Sequence, residues 1–181
     1  VKDDAGLAVT VAKPALRVVS MAPSVTELLF AAGGGGQIVG AVNYSDYPEA
    51  ARRIPRIGSN REIDMELLIS LKPDLIVAWR HNSSERQIEM VRRLGIPVFQ
   101  SDPQTLDSIP ESVLRLGRLM GTDAAAASAA GKLREDLAAL RNKYANRAPV
   151  RTFYQVWDKP LYTLSGKHII TDAMKLCGGE N

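Results

Sequence analysis

The chain is poor in the residues that hold metals and drive most hydrolytic chemistry. Among 181 residues it has one cysteine, Cys177, and two histidines, His81 and His168. A single cysteine excludes an internal disulfide and a thiolate cluster, and it leaves the compartment open. No Cys or His pair has metal-ligand spacing, so both histidines are expected on the surface or in loops. There is no G-x-S-x-G elbow. A Ser24–His81–Asp102 triad can be composed from the sequence, but any α/β chain offers such trios, and a small α/β hydrolase is a remote alternative. No apolar run approaches the roughly 20 residues that span a bilayer. Lys and Arg do not cluster among aromatics and the net charge is only +3, which sets nucleic acid aside as a partner. The N-terminus, Val1-Lys2-Asp3-Asp4, has no signal-peptide profile. That is expected of a cytoplasmic protein, or of one whose signal has been removed.

What remains is an ordinary globular composition, 45% hydrophobic and 24% charged, sufficient for one large domain or one and a half small ones. Its most informative stretch is residues 71–80, Leu-Lys-Pro-Asp-Leu-Ile-Val-Ala-Trp-Arg. Pro73 cannot continue a helix, because it lacks an N–H and its ring clashes with the preceding turn. Leu75-Ile76-Val77-Ala78 is a continuous apolar run, the pattern of a parallel strand covered on both faces. Trp79 and Arg80 then fall at the strand's carboxyl end, where ligands collect in open α/β sheets. From this segment alone Trp79 either caps the core or faces a ligand.

Around this stretch strands and helices alternate. Strands are expected at residues 17–21, 38–42, 75–79 and 96–100. Ser24-Val25-Thr26-Glu27 has the form of a capping box opening a helix that stops at Gly33. Four glycines follow a helix instead of preceding one, which disfavours a phosphate loop. Pro48 suits a first helical position for a short helix through Arg53. Asp64 can cap a helix over 65–71, and Asn82-Ser83-Ser84 can cap one over 84–94 that Gly95 closes. A further helix is expected over 108–120. Together these predict a Rossmann-like, doubly wound parallel sheet of the α/β class.

Residues 123–144 break the rhythm with an Ala/Leu stripe lacking proline, predicted as one helix about 33 Å long. After Pro149 a strand is expected over 150–157, a turn at Lys159-Pro160 and a helix over 169–176. One strand–helix unit cannot make its own core. The domains are therefore read as 1–121, a ligand-binding lobe; 122–147, a connecting helix; and 148–181, an incomplete second lobe. Tyr44-Ser45-Asp46-Tyr47-Pro48 follows the second strand, so its aromatics should share an edge with Trp79. Trp157 and Tyr162 flank the turn in the second unit. Aromatics gathered at strand ends suit a flat, largely apolar ligand, although core packing can place them there too.

Several stretches carry a family likeness: residues 18–28 (Val-Val-Ser-Met-Ala-Pro-Ser-Val-Thr-Glu-Leu), residues 44–48, residues 71–80 with Glu85-Arg86-Gln87, and Cys177-Gly178-Gly179-Glu180-Asn181. The chain resembles the substrate-binding proteins of ABC importers for cobalamin, haem and ferric siderophores, most closely the cobalamin branch. The resemblance implies two α/β lobes joined by one long helix, ligand between them, no enzymatic activity, no resident cofactor, and residence in the periplasm. It implies corrinoid contacts from Ser24, Tyr44, Trp79, Trp157 and Tyr162, and docking of Glu66 onto arginines of the permease, a bidentate pairing. Read from its position alone, Glu66 is an ordinary acidic residue in a first helical turn. Haem or a ferric siderophore is the alternative cargo, with Arg61 and Arg80 available to an anionic chelate. Where cobalamin binders can carry a tryptophan and haem binders a ligating tyrosine, this chain has Ser59-Asn60-Arg61, so haem would need His81 or Tyr44. Full-length members continue well past Asn181. The apolar residues of 150–176 are too many for a soluble monomer to expose, so this chain is expected to self-associate through 150–181, as an artefact of truncation, or to leave that region poorly ordered.

Overall fold

The protein is described by a computed structural model over residues 1–59, 62–81 and 85–181. It divides into two compact units, Val1–Asp102 with Ser112–Ala129, and Pro103–Glu111 with Ala130–Asn181. The first unit holds four parallel strands, β1 (Val18–Ser20), β2 (Ile38–Ala41), β3 (Leu75–Trp79) and β4 (Val98–Ser101), in the order β2-β1-β3-β4. The expected α/β class and parallel sheet are present. β3 is buried on both faces, as its unbroken apolar run requires. Ile76 and Ala78 join one core cluster with Val19, Ile57 and Leu68, while Leu75 and Val77, on the other face by the two-residue period, are equally buried.

Helices α1 (Pro23–Ala31), α2 (Met65–Ser70), α3 (Glu85–Arg93) and α4 (Ile109–Met120) follow the expected alternation. Asp64 caps α2 as expected, its Oδ1 accepting the Leu67 N–H at 2.8 Å. The capping box at Ser24 is not formed. Pro23, with its preset φ and missing N–H, takes the first helical position, so Ala22 becomes the cap and Ser24 moves inside the first turn. Thr26 instead donates its hydroxyl to Ala22 O at 3.2 Å. Pro48 likewise sits at the cap of a 3₁₀ segment, Glu49–Arg53, and does not open an α-helix. The cap expected at Asn82-Ser83-Ser84 lies outside the described residues. Gly33, at φ +84, turns the chain out of α1, which accounts for the start of the glycine run without a phosphate.

Helix α5 (Asp123–Tyr144) is one unbroken helix of 22 residues, as its stripe predicts, and the boundary between the units falls inside it. Its alanine-rich start has a steric cause within the first unit. A Cβ placed on Gly117 would lie 2.3 Å from Ala126 Cβ, and one on Gly33 would lie 2.6 Å from Ala125 Cβ. Only small residues allow so close an approach. Within the second unit, Arg134 pairs with Glu111 and Arg141 bridges both oxygens of Asp107 at 2.7 Å, tying α5 to residues 103–111.

In the second unit α6 (Ile169–Leu176) is as expected, and His168 caps it by accepting the Ile170 N–H at Nδ1, 3.2 Å away. The expected strand over 150–157 is reduced to β5 (Val150–Arg151), paired in parallel with β6 (Gly179–Glu180). The reason is supply of partners, since β6 offers two residues and a strand lasts only as long as its ladder. Trp157 and Tyr162 form an antiparallel bridge around the expected Lys159-Pro160 turn.

The α4–α5 contact gives a direct test. Gly117→Val should destabilise the protein by about 1–3 kcal/mol through overpacking against Ala126. Urea denaturation reads it, and an unchanged midpoint would mean that the helices separate freely.

Candidate functional site

Parallel strands deliver their carboxyl ends to one edge of the sheet. Here the chain steps from β1 to β2 on one side, then to β3 on the other, so the topological switch lies at β1 and β3. The loops after those strands are where a ligand site is expected physically. Trp79 closes β3, Ser24 stands in the first turn of α1 just beyond the loop after β1, and Tyr44 follows the neighbouring β2. The structure thus brings Ser24, Tyr44 and Trp79 to one edge; the strand pattern had led to that expectation for Tyr44 and Trp79.

Tyr44 is held in the left-handed region at φ +66 and is 83% exposed. For a residue other than glycine, such a conformation costs on the order of 1–3 kcal/mol and persists only where neighbours over-determine it. The neighbours are buried hydroxyls and an arginine. Ser20 Oγ and Thr26 Oγ1 share a hydrogen bond at 2.7 Å, and Thr26 Oγ1 donates to Ser45 Oγ at 3.1 Å. Arg56 Nη2 donates to Ser45 O at 2.9 Å and to Asp46 Oδ1 at 3.1 Å. The turn is braced from beneath, and the phenol is turned outwards. Sequence reasoning missed Arg56 and Ser45, because nothing local marks a side chain that supports a turn ten residues away.

Trp79, the last residue of β3, pairs with Ser101 of β4 and is partly buried. Its ring stands at 84° to that of His81, with centroids 6.4 Å apart, an edge-to-face arrangement. His81 Nε2 lies 2.8 Å from Asp102 Oδ2, and the Asp102 side chain is only 7% exposed. Its neighbour Arg80 is exposed and donates through Nη1 to Asp4 O at 3.4 Å. Two members of the composed triad therefore meet. Ser24, exposed in the first turn of α1, makes no hydrogen bond to His81 among the described residues.

In the second unit Trp157 and Tyr162 are 62% and 59% exposed. Their backbones join through Tyr162 N–H to Trp157 O at 3.1 Å, with Val156 N–H donating to Tyr162 O at 2.9 Å. Glu66 is exposed in the first turn of α2, beside a shallow hollow shared with Asp64, Leu67 and Ser70, and forms no ion pair among the described residues. Asn60, which stands where relatives carry an aromatic or ligating residue, and Arg61, considered for an anionic chelate, lie outside the described residues. Among the described residues no group of three or more His, Cys, Asp or Glu could hold a metal ion. No helix among them is long and apolar enough to cross a membrane.

Known proteins share this fold. A vitamin B12-binding protein of Yersinia pestis is 41% identical over 170 residues, which are 94% of this chain and 61% of the relative. The crystal structure of the periplasmic vitamin B12-binding protein of Vibrio cholerae superposes with a TM-score of 0.85 at 38% identity, over 93% of this chain and 66% of that one. The apo structure of a periplasmic haem-binding protein of Roseiflexus sp. RS-1 shares the fold, with a TM-score of 0.79 at 24% identity, over 91% and 65% of the two chains. This chain therefore spans about three-fifths of the length of the Yersinia relative. The periplasmic binding protein family matches residues 18–181, nearly the whole chain, and the chain belongs to that family.

Proposed function

We propose that this chain is part of a non-enzymatic, periplasmic substrate-binding protein that captures a cobalamin-like corrinoid and delivers it to the permease of an ABC importer. The observation that carries the reading is the pair of aromatic rings, Tyr44 just after β2 and Trp79 at the end of β3, at one edge of a parallel sheet. A corrin offers broad apolar faces, and aromatic rings cover such faces with little loss of rotamer freedom. The likeness to vitamin B12-binding proteins of Yersinia pestis and Vibrio cholerae supports a corrinoid among flat ligands. Trp157 and Tyr162 are the aromatic contribution of the second unit. Ser24, exposed in the first turn of α1, is a polar contact for the ligand's rim. The protein works without a resident cofactor, since any metal it handles is cargo. The exposed guanidinium of Arg80 favours the second reading, an anionic ferric siderophore, and haem belongs with it on the same fold.

In full-length protein, Trp79→Ala is expected to weaken cobalamin binding by about 1–3 kcal/mol, the worth of one stacked, buried ring. Calorimetric titration with cobalamin, haem and a ferric siderophore measures this and ranks the cargoes. Tighter binding of haem or siderophore than of cobalamin moves the reading to the alternative, and an unchanged cobalamin affinity in folded mutant returns Trp79 to packing.

Glu66 is read as a docking carboxylate for a permease arginine. Glu66→Ala should weaken docking by about 1.5–3 kcal/mol, the range for hydrogen bonds to charged groups, while ligand affinity stays unchanged. Ligand-stimulated ATP hydrolysis by the reconstituted importer separates the two effects. A parallel loss of ligand affinity refutes the assignment.

Val150, Phe153, Val156, Trp157, Leu161 and Tyr162 are all exposed in the second unit. So much apolar surface marks an association site. This chain on its own is expected to self-associate through residues 150–181. Light scattering tests it over a concentration series, and a monodisperse monomer throughout shows the expectation to be wrong.

A further inference from the structure

We propose that Arg56 is a positioning residue for the cargo, holding Tyr44 in the left-handed, outward conformation from which its ring meets a flat macrocycle. The inference rests on the corrinoid reading above and adds a residue that acts on the ligand only through another. Tyr44 is straddled by bonds to one short segment, residues 55–58. On one side the Asn43 N–H donates to Gly58 O at 2.8 Å. On the other, Arg56 Nη2 donates to Ser45 O at 2.9 Å and to Asp46 Oδ1 at 3.1 Å. The segment is itself fixed. The Ala41 N–H donates to Pro55 O and the Ile57 N–H to Ala41 O, both at 3.0 Å, which adds a short rung to the outer edge of β2. Gly58 has φ +105, and a Cβ there would lie 2.3 Å from Glu62 O, so this path is open only to glycine.

Two costs meet at this turn, and neither helps the chain to fold. A tyrosine at φ +66 occupies a region that glycine or asparagine enters with less strain. The Arg56 side chain is only 26% exposed, and its Nη1 is enclosed without a hydrogen-bond partner among the described residues. A buried N–H left unpaired has lost its hydration and gained nothing in exchange. An unbranched apolar side chain would fill the same space without that loss. Strained backbone and unpaired buried groups gather where a site must be held ready for a ligand. The group held here is the Tyr44 ring, which is exposed and contributes little to the core.

The consequence is a population effect. Without the guanidinium the turn relaxes towards backbone that tyrosine prefers, and the ring leaves its place at the sheet edge. Only the fraction of molecules still in the left-handed form then binds at full strength, and the apparent affinity falls by that fraction. A merely structural arginine would behave otherwise. Its loss would lower stability, and it would weaken binding whether or not the tyrosine ring were present.

The test compares the full-length protein with its Arg56→Met, Tyr44→Ala and doubly substituted forms, by calorimetric titration with cobalamin and by urea denaturation. Arg56→Met is expected to weaken cobalamin binding about 10-fold when Tyr44 is present, and by less than about twofold when it is combined with Tyr44→Ala. The urea midpoint should not fall, because released strain and the removal of the unpaired N–H offset the lost bonds. Hydrogen exchange in ligand-free protein reads the turn directly. The Asn43 and Ser45 amides should exchange faster in Arg56→Met, while Ile76 in β3 is unchanged. If Tyr44→Ala binds too weakly to titrate, these exchange rates decide. An equal loss of affinity in both backgrounds, an unchanged affinity, unchanged exchange at the turn, or a lower urea midpoint overturns the positioning role and leaves the corrinoid reading standing. If the unsubstituted protein takes up no cobalamin, the corrinoid reading fails and this role fails with it.

Discussion

The carboxylate of Asp74 accepts the backbone N–H groups of Leu16 and Arg17, each at 2.9 Å, while the Asp74 N–H donates back to Arg17 O at 2.9 Å. Arg17 Nε adds a bond to Leu71 O at 2.8 Å. These bonds lie where β1 and β3 begin, and they set the register that runs from Val18 opposite Leu75 to Ser20 opposite Val77. Hydrogen bonds to a charged acceptor are among the stronger ones a fold can use. Because side chains alternate between faces, a slip of one residue would turn Ile76 and Ala78 out of their core cluster. It would also change which residues emerge at the carboxyl edge. The positions of Trp79 and His81 therefore depend on a clamp at the opposite end of the strand.

A second set of polar contacts stiffens the edge itself. The buried Asp3 carboxylate accepts from Ala5 and Leu7 within its own turn and from Gln100 at the end of β4, while Asp4 reaches Asp102 and Arg115. The amino-terminal segment is thereby fastened to the strand that carries Asp102. Arg115 also stacks over Phe99, 5.2 Å from the ring centroid. On the far side of β1 the Ser20–Thr26–Ser45 hydroxyls and Arg56 do equivalent work for Tyr44. The exposed Tyr44 and the partly buried Trp79 thus both stand on braced backbone, which limits the conformational entropy a ligand must remove on binding.

Much of this was legible in the residues. The apolar run of β3, the proline before it, the Asp64 cap and the 22-residue α5 all follow from periodicity and stop signals between near neighbours in the chain. So did the placing of Tyr44 and Trp79 at one edge, because both follow from the ends of parallel strands. The errors were also local in kind. The capping box at Ser24 gave way to Pro23, whose ring claims the first helical position, and the strand after Pro149 was cut to two residues by the length of its partner.

The sequence by itself determined the alternation of strands and helices, the sheet's polarity and hence the edge at which the aromatics gather. Only the tertiary structure decided how those aromatics are held. The left-handed Tyr44 braced by Arg56, and the His81 imidazole oriented by a buried Asp102 that is in turn held by Asp4, depend on partners between 10 and 98 residues away. Periodicity carries information over a few residues, because it reflects contacts along one helix face or one strand. A hydrogen bond between distant loops leaves no such period, and its partners become identifiable only once the sheet has brought them together.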